Sequence, residues 1–292
     1  MVQEKKSNWV RFGAIFAILI MLGSATLGVV MLTDLFGSNK AKPYPFSDIS
    51  GKHADFNFTN IKDGAKYLPE GVSRISCYST NATINASLNS SFPGAEPSAV
   101  MVAYYPTGML EYYQTKTEEN VSIMTNGKPS TEDYEGYSII YVGPAQRIIV
   151  GSPIIIASLA NYANDSGLAR RAVDVFTGLS TGSKDFEPIL AYVDDVSDFE
   201  EMTVFRSNTG KGYDMLYQRS SSYSNGTYQM ETVIYGINDD MRAEIKEMIA
   251  EEEAISIAIE NELAIKLYIE TTDRLVYMMA ANDLYGILVQ YA

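Results

Sequence analysis

The side chains best suited to chemistry stand in YVDDVSDFEE, where Asp194, Asp195, Asp198, Glu200 and Glu201 crowd one short stretch. Carboxylate oxygens at such spacing are what Ca²⁺ needs, roughly six to eight of them around one ion. The D-x-[DN]-x-[DN]-G order of a calcium loop is missing, so Asp194, Asp195, Asp198 and Glu200 are candidate metal ligands only, with solvated carboxylates at a strand exit as the bland reading. The chain has a single histidine, His53, which rules out any site built on two imidazoles. No G-x-S-x-G elbow accompanies it, so a loop histidine is the expectation. Cys77 is also alone. It excludes an intrachain disulfide and reads as a small buried hydrophobe. Asn208-Thr209-Gly210-Lys211-Gly212 fails the phosphate-loop template, because Phe205 stands where its first glycine should be, and it reads as a hairpin turn. Glu251-Glu252-Glu253 reads as the solvated end of a helix. No catalytic or cofactor-binding residue is assigned, and a non-enzymatic protein is expected.

These groups must be placed by strands and helices. Ala99 to Tyr105 and Met109 to Thr115 read as strands around Pro106-Thr107-Gly108, and Tyr137 to Val142 and Arg147 to Val150 as a pair around Gly143-Pro144. Ile75 to Leu88 reads as an exposed strand or loop. Pro153 opens a predicted helix that continues over Ile154 to Ala163, and another runs from about Gly167 to Thr177. In the second half, Ile189 to Val193, Glu201 to Arg206, Asp214 to Arg219 and Tyr228 to Gly236 are predicted strands. Asn238-Asp239 caps a helix bearing Met241, Ile245, Met248 and Ile249 on one face. Residues from Ile255 to Ile259 and from Leu263 to Ile269 alternate as strands, Leu275 to Met279 is a further one, and Asn282 caps a final helix to Tyr291. Strands in runs followed by helices define an α+β fold with a mostly antiparallel sheet. Two related strand–strand–helix modules are expected, at 48–182 and 183–292. The tyrosines Tyr104, Tyr105, Tyr112 and Tyr113 lie on neighbouring strands, where they either fill the core or offer a patch to a partner.

Upstream of all this is an uncharged apolar run from Phe12 to Leu32. As a helix it is about 31 Å long, enough to cross a bilayer. Trp9 and Phe36 flank it, with Lys5, Lys6 and Arg11 before it and Lys40 and Lys42 after it. The expected layout is a cytoplasmic stub at 1–8, an anchor at 9–36, a tether at 37–47 and an extracytoplasmic remainder. A signal-peptidase site at Gly23-Ser24-Ala25 is the alternative, but the apolar character continues past it. Gly13, Ala17, Ser24 and Gly28 share one side of the helix, a small-residue stripe on which another membrane helix, or a second copy, could pack.

Seven N-x-[ST] sequons follow, at Asn57, Asn81, Asn85, Asn89, Asn120, Asn164 and Asn225, against roughly two or three that composition would yield by chance. They argue for export and glycosylation. Beyond residue 42 the chain holds 17 basic and 34 acidic residues, a net −17. Such a surface repels a polyanion, which excludes nucleic acid as a partner.

With its anchor, tether, sequons, acidic Tyr- and Met-bearing strands and the segment YSIIYVGPAQRIIVGSP at Tyr137–Pro153, the chain resembles the single-span, glycosylated surface proteins of archaea, methanogens especially. The resemblance implies a surface location. The functional expectation is a membrane-anchored extracytoplasmic binding or structural protein, accessory to a cell-envelope or membrane complex. An exported hydrolase or metal-dependent enzyme built on acidic residues, and a solute-sensing ectodomain acting through a membrane partner, are the alternatives.

Overall fold

A computed structural model describes residues 41–80, 82–159, 167–196, 198–207 and 210–292. The run at 12–32, its small-residue stripe (Gly13, Ala17, Ser24, Gly28), Asn81, Asn164 and the turn residues Asn208 and Thr209 lie outside them. No described helix is long and apolar enough to cross a membrane.

Twelve strands make one sheet. From edge to edge these are β15 (Ile255–Glu260), β16 (Ala264–Thr271), β14 (Tyr228–Tyr235), β13 (Met215–Ser222), β12 (Glu201–Arg206), β3 (Arg74–Ser79), β4 (Pro97–Tyr105), β5 (Gly108–Thr115), β11 (Ile154–Leu159), β9 (Gln146–Ile149), β8 (Tyr137–Val142) and β7 (Thr131–Tyr134). Every neighbouring pair is antiparallel. The two halves of the chain meet where β3 pairs with β12, with Ile75 opposite Val204 and Cys77 opposite Met202. Outside this sheet, β1 (Lys42–Pro45) pairs with β6 (Ser122–Thr125), and β2 (Ala54–Asp55) runs parallel to β10 (Gly151–Ser152). The α+β class with a mostly antiparallel sheet is what the strand-then-helix order predicts.

Helices cover both faces. On one face, α1 (Ile61–Gly64), α3 (Gly167–Phe176) and α4 (Glu187–Leu190) close a core that runs across the seam, from Ile155 and Tyr112 to Tyr217 and Val233. On the other face α2 (Ala82–Ser91) contributes Leu88 to one core, while α5 (Asp239–Glu251) and α6 (Arg274–Tyr291) build a separate one with Met241, Ile245, Leu284 and Leu288. Strands covered on both faces need no polar alternation, which is why β4 reads as a nearly continuous apolar run.

Four predicted elements are corrected by this arrangement. Ile154 to Leu159 is a strand, not a helix. It lies between β5 and β9 with Ile154, Ile155 and Ile156 all buried, so its pattern lacks the alternation that marks a strand. Ile75 to Leu88 is not an exposed strand or loop but a buried central strand followed by a helix. Within Ile189 to Val193, predicted as a strand, the chain instead continues a helical turn begun at Glu187 with Pro188 at its start. Leu275 to Met279 is the first part of α6. Asp273 caps it by accepting hydrogen bonds from the N–H groups of Leu275 (2.8 Å) and Val276 (3.3 Å), and Asn282 sits in mid-helix rather than at a cap.

Candidate functional site

The acidic stretch does not converge on an ion. Asp194 follows α4 and points at Lys266 of β16, 2.6 Å from its Nζ, and accepts a hydrogen bond from the hydroxyl of Tyr268. Asp195 accepts from Asn60 at 3.2 Å. The backbone carbonyl of Asp198 takes the Ser221 hydroxyl at 3.2 Å, and Glu200 takes that of Ser222. The carboxylates of Asp194, Asp195 and Glu200 are each taken by a different neighbour, and no group of three metal-capable side chains occurs among the described residues.

Asp194 is instead the outer member of a buried charge network. Glu231 of β14 is fully buried and bonds both Arg219 of β13 (3.0 Å) and Lys266 (2.9 Å). Its Oε1 also accepts the Asp194 N–H at 3.2 Å. Burial works against charge on Lys266, yet its bonds to Asp194, Glu231 and Tyr268 hold its pKa above the ordinary lysine value. For Asp194, burial opposes ionisation, but the Lys266 and Tyr268 hydrogen bonds prevail and lower its pKa. This network links three strands to the 191–196 segment. Its charged groups are paired with one another, which fits a structural role.

The remaining singled-out residues are likewise committed to the fold. His53 Nδ1 lies 2.9 Å from Glu118, and its ring meets Phe46 edge-on. Cys77 is buried in the core, where desolvation pushes its thiol up to about 12. Tyr105 and Tyr112 donate to the carbonyls of Pro69 (3.1 Å) and Tyr67 (3.2 Å), Tyr113 donates to Glu111 (2.6 Å), and Tyr104 is half-buried, so these four form no exposed aromatic patch. Glu111 has no place in any sequence pattern, yet it is fully buried. Desolvation raises its carboxyl to about 7, partly offset by the Tyr113 hydrogen bond. Of the described sequon residues, Asn57, Asn89, Asn120 and Asn225 are exposed, whereas Asn85 is half-buried on α2.

What the fold leaves unsatisfied is the outer side of α6. Ala280, Leu284, Ile287 and Leu288 point inward and are buried, while Leu275, Met278, Met279 and Val289 remain 54–66 % exposed. At 100° per residue these four, with Asn282, Tyr285 and Gly286, share an arc of about 120°. A surface helix ordinarily turns charged residues outward, so an apolar stripe there is a departure from the usual pattern. Beside it, α5 and α6 enclose a groove of about 450 Å³. Glu244, Glu247, Met248 and Glu251 line it from α5, and Asp283, Tyr285, Gly286 and Ile287 from α6. Gly286 is not needed by the fold: a Cβ there would meet nothing within 4 Å, and its φ is not in the left-handed region.

No protein-family model matches the chain, and no curated protein does either. Among solved structures, crystal form I of TP0453 is similar over 75 % of this chain and 97 % of its own, at 10 % identity and a TM-score of 0.46. Crystal form III of TP0453 covers 74 % and 96 % at 8 % identity and a TM-score of 0.42. A Mycobacterium avium subspecies paratuberculosis tesB protein, MAP1729c, gives a TM-score of 0.16. Likenesses this remote transfer no function.

Proposed function

We propose that this chain is a membrane-anchored, extracytoplasmic binding protein that serves as an accessory component of a cell-envelope or membrane complex. The observation that carries the reading is the exposed apolar side of α6, where four large side chains face solvent although Ala280, Leu284, Ile287 and Leu288 of the same helix are buried. Leaving this much apolar surface in water has a free-energy cost that a docked partner removes, at roughly 25 cal/mol for each Å² covered. The run at Phe12–Leu32 supplies the anchor, with the N-terminus cytoplasmic and the sheet domain outside, and the sequons agree with export. A resemblance in organisation to the single-span surface proteins of archaea fits this reading.

The test is site-specific photo-cross-linking in native membranes. A cross-linking amino acid at Met279 is expected to trap a protein partner, and the same group at the exposed Ser224, in the turn between β13 and β14, is not. With the cross-linker kept at Met279, Met278→Glu, which puts charge on an already exposed position beside it, should lower recovery at least tenfold while leaving the fold intact. Equal trapping from both positions would overturn the reading.

A further inference from the structure

We propose that the groove between α5 and α6 receives a cationic amphipathic helix presented by a partner protein. This rests on the binding function just described and names the chemistry of its partner. The floor is apolar, from Met248 and Ile287, and continues onto the exposed Leu275, Met279 and Val289. The rim is anionic: Glu244, Glu247 and Glu251 recur at three- and four-residue intervals on one side of α5, and Asp283 faces them from α6. No lysine or arginine lines the groove. Like charges at such spacing destabilise a helix, and the nearby cations do not relieve them, because Arg242 and Lys246 both pair with Glu260 instead. Among the described residues Glu247 and Glu251 have no salt-bridge partner.

An apolar floor under a carboxylate rim matches a helix with an apolar side and lysines or arginines along its flanks, the helix-in-groove mode of recognition. Gly286 lowers the wall on the α6 side, so a backbone can approach closely where any other residue would project a side chain. The same charges argue against the other occupants. A second copy docking this side to itself would oppose its own Glu247, Glu251 and Asp283, and an anionic bilayer surface would be repelled.

The test uses the full-length protein in nanodiscs. The probes are two labelled 18-residue helices, one of leucine and lysine and one in which glutamate replaces lysine, followed by fluorescence anisotropy. The lysine helix should bind and the glutamate helix should not. Glu247→Gln/Glu251→Gln should weaken binding at least tenfold at low salt and flatten its salt dependence, and Gly286→Leu should weaken it without changing that dependence. Binding unaffected by these variants would be mere attraction to an acidic protein and would overturn the proposal. Mass spectrometry of the Met279 cross-link separates the two levels. A trapped segment rich in lysine or arginine supports the cationic helix. A partner trapped through Met279 but insensitive to Glu247→Gln/Glu251→Gln preserves the docking function and overturns the cationic helix. Cross-links to lipid or to another copy of this chain overturn it as well.

Discussion

At the scale of single residues, two side chains make predictions that neither depends on the other. Glu111 has its pKa raised by burial, so the folded protein retains a proton that the unfolded chain has already released. Its contribution is therefore fully present below the ordinary carboxylate value and is lost as pH rises through about 7. Glu111→Gln keeps the shape and an acceptor for Tyr113 but cannot titrate. Denaturant unfolding should show the wild type losing roughly 2–3 kcal/mol relative to this variant between about pH 5 and pH 8. Parallel stability curves would refute the assignment. Gly286 makes the opposite kind of statement. Since a methyl group there would touch nothing, Gly286→Ala should raise stability by about 0.5–1 kcal/mol through helix propensity alone, read by thermal unfolding. On the docking proposed above it should also reduce partner capture.

At the scale of elements, the buried network is the junction whose loss should be felt most. Glu231→Ala strips Arg219 and Lys266 of their shared carboxylate and is expected to cost about 3–5 kcal/mol in denaturant unfolding. Asp194→Asn should cost less, because Asp194 is 44 % exposed and Lys266 keeps Glu231. The sequence announces some of these elements and hides others for definable reasons. The hairpins β4–β5 and β8–β9, the strands β12 to β16 and the Asn238-capped helix are legible because turn residues, caps and periodicity agree. Ile154–Leu159 is not legible as a strand, since two covered faces erase the alternation. The outer side of α6 is hidden for a related reason. Leu275-Val276-Tyr277-Met278-Met279 is apolar all round, and sequence pattern does not distinguish a residue that faces the core from one that faces solvent. Of the singled-out acidic residues only Asp194 joins the buried network. The others in that network, Arg219, Glu231 and Lys266, are isolated charges within strands, and only their register brings them together.

At the scale of the whole molecule, the sheet ties both halves of the chain into one ladder, about 50 Å across at the usual strand spacing. The N-terminal entry to this structure is built quite differently. Strand β1 is four residues long, pairs with β6, adds one half-buried side chain, Tyr44, to the core, and its Pro43 and Pro45 carry no N–H to give. The next residue, Phe46, is buried, bonds the Val121 carbonyl at 3.0 Å and sets its ring edge-on to Phe92. Tension applied through residue 41 therefore meets a weak strip first and a strong stop immediately after it. Single-molecule pulling should record a small extension of about 14 Å at low force before any rupture of the sheet. The strip would thus act as a fuse: under mechanical load through its N-terminal end the domain lets out a short length of slack and keeps its twelve-stranded sheet folded.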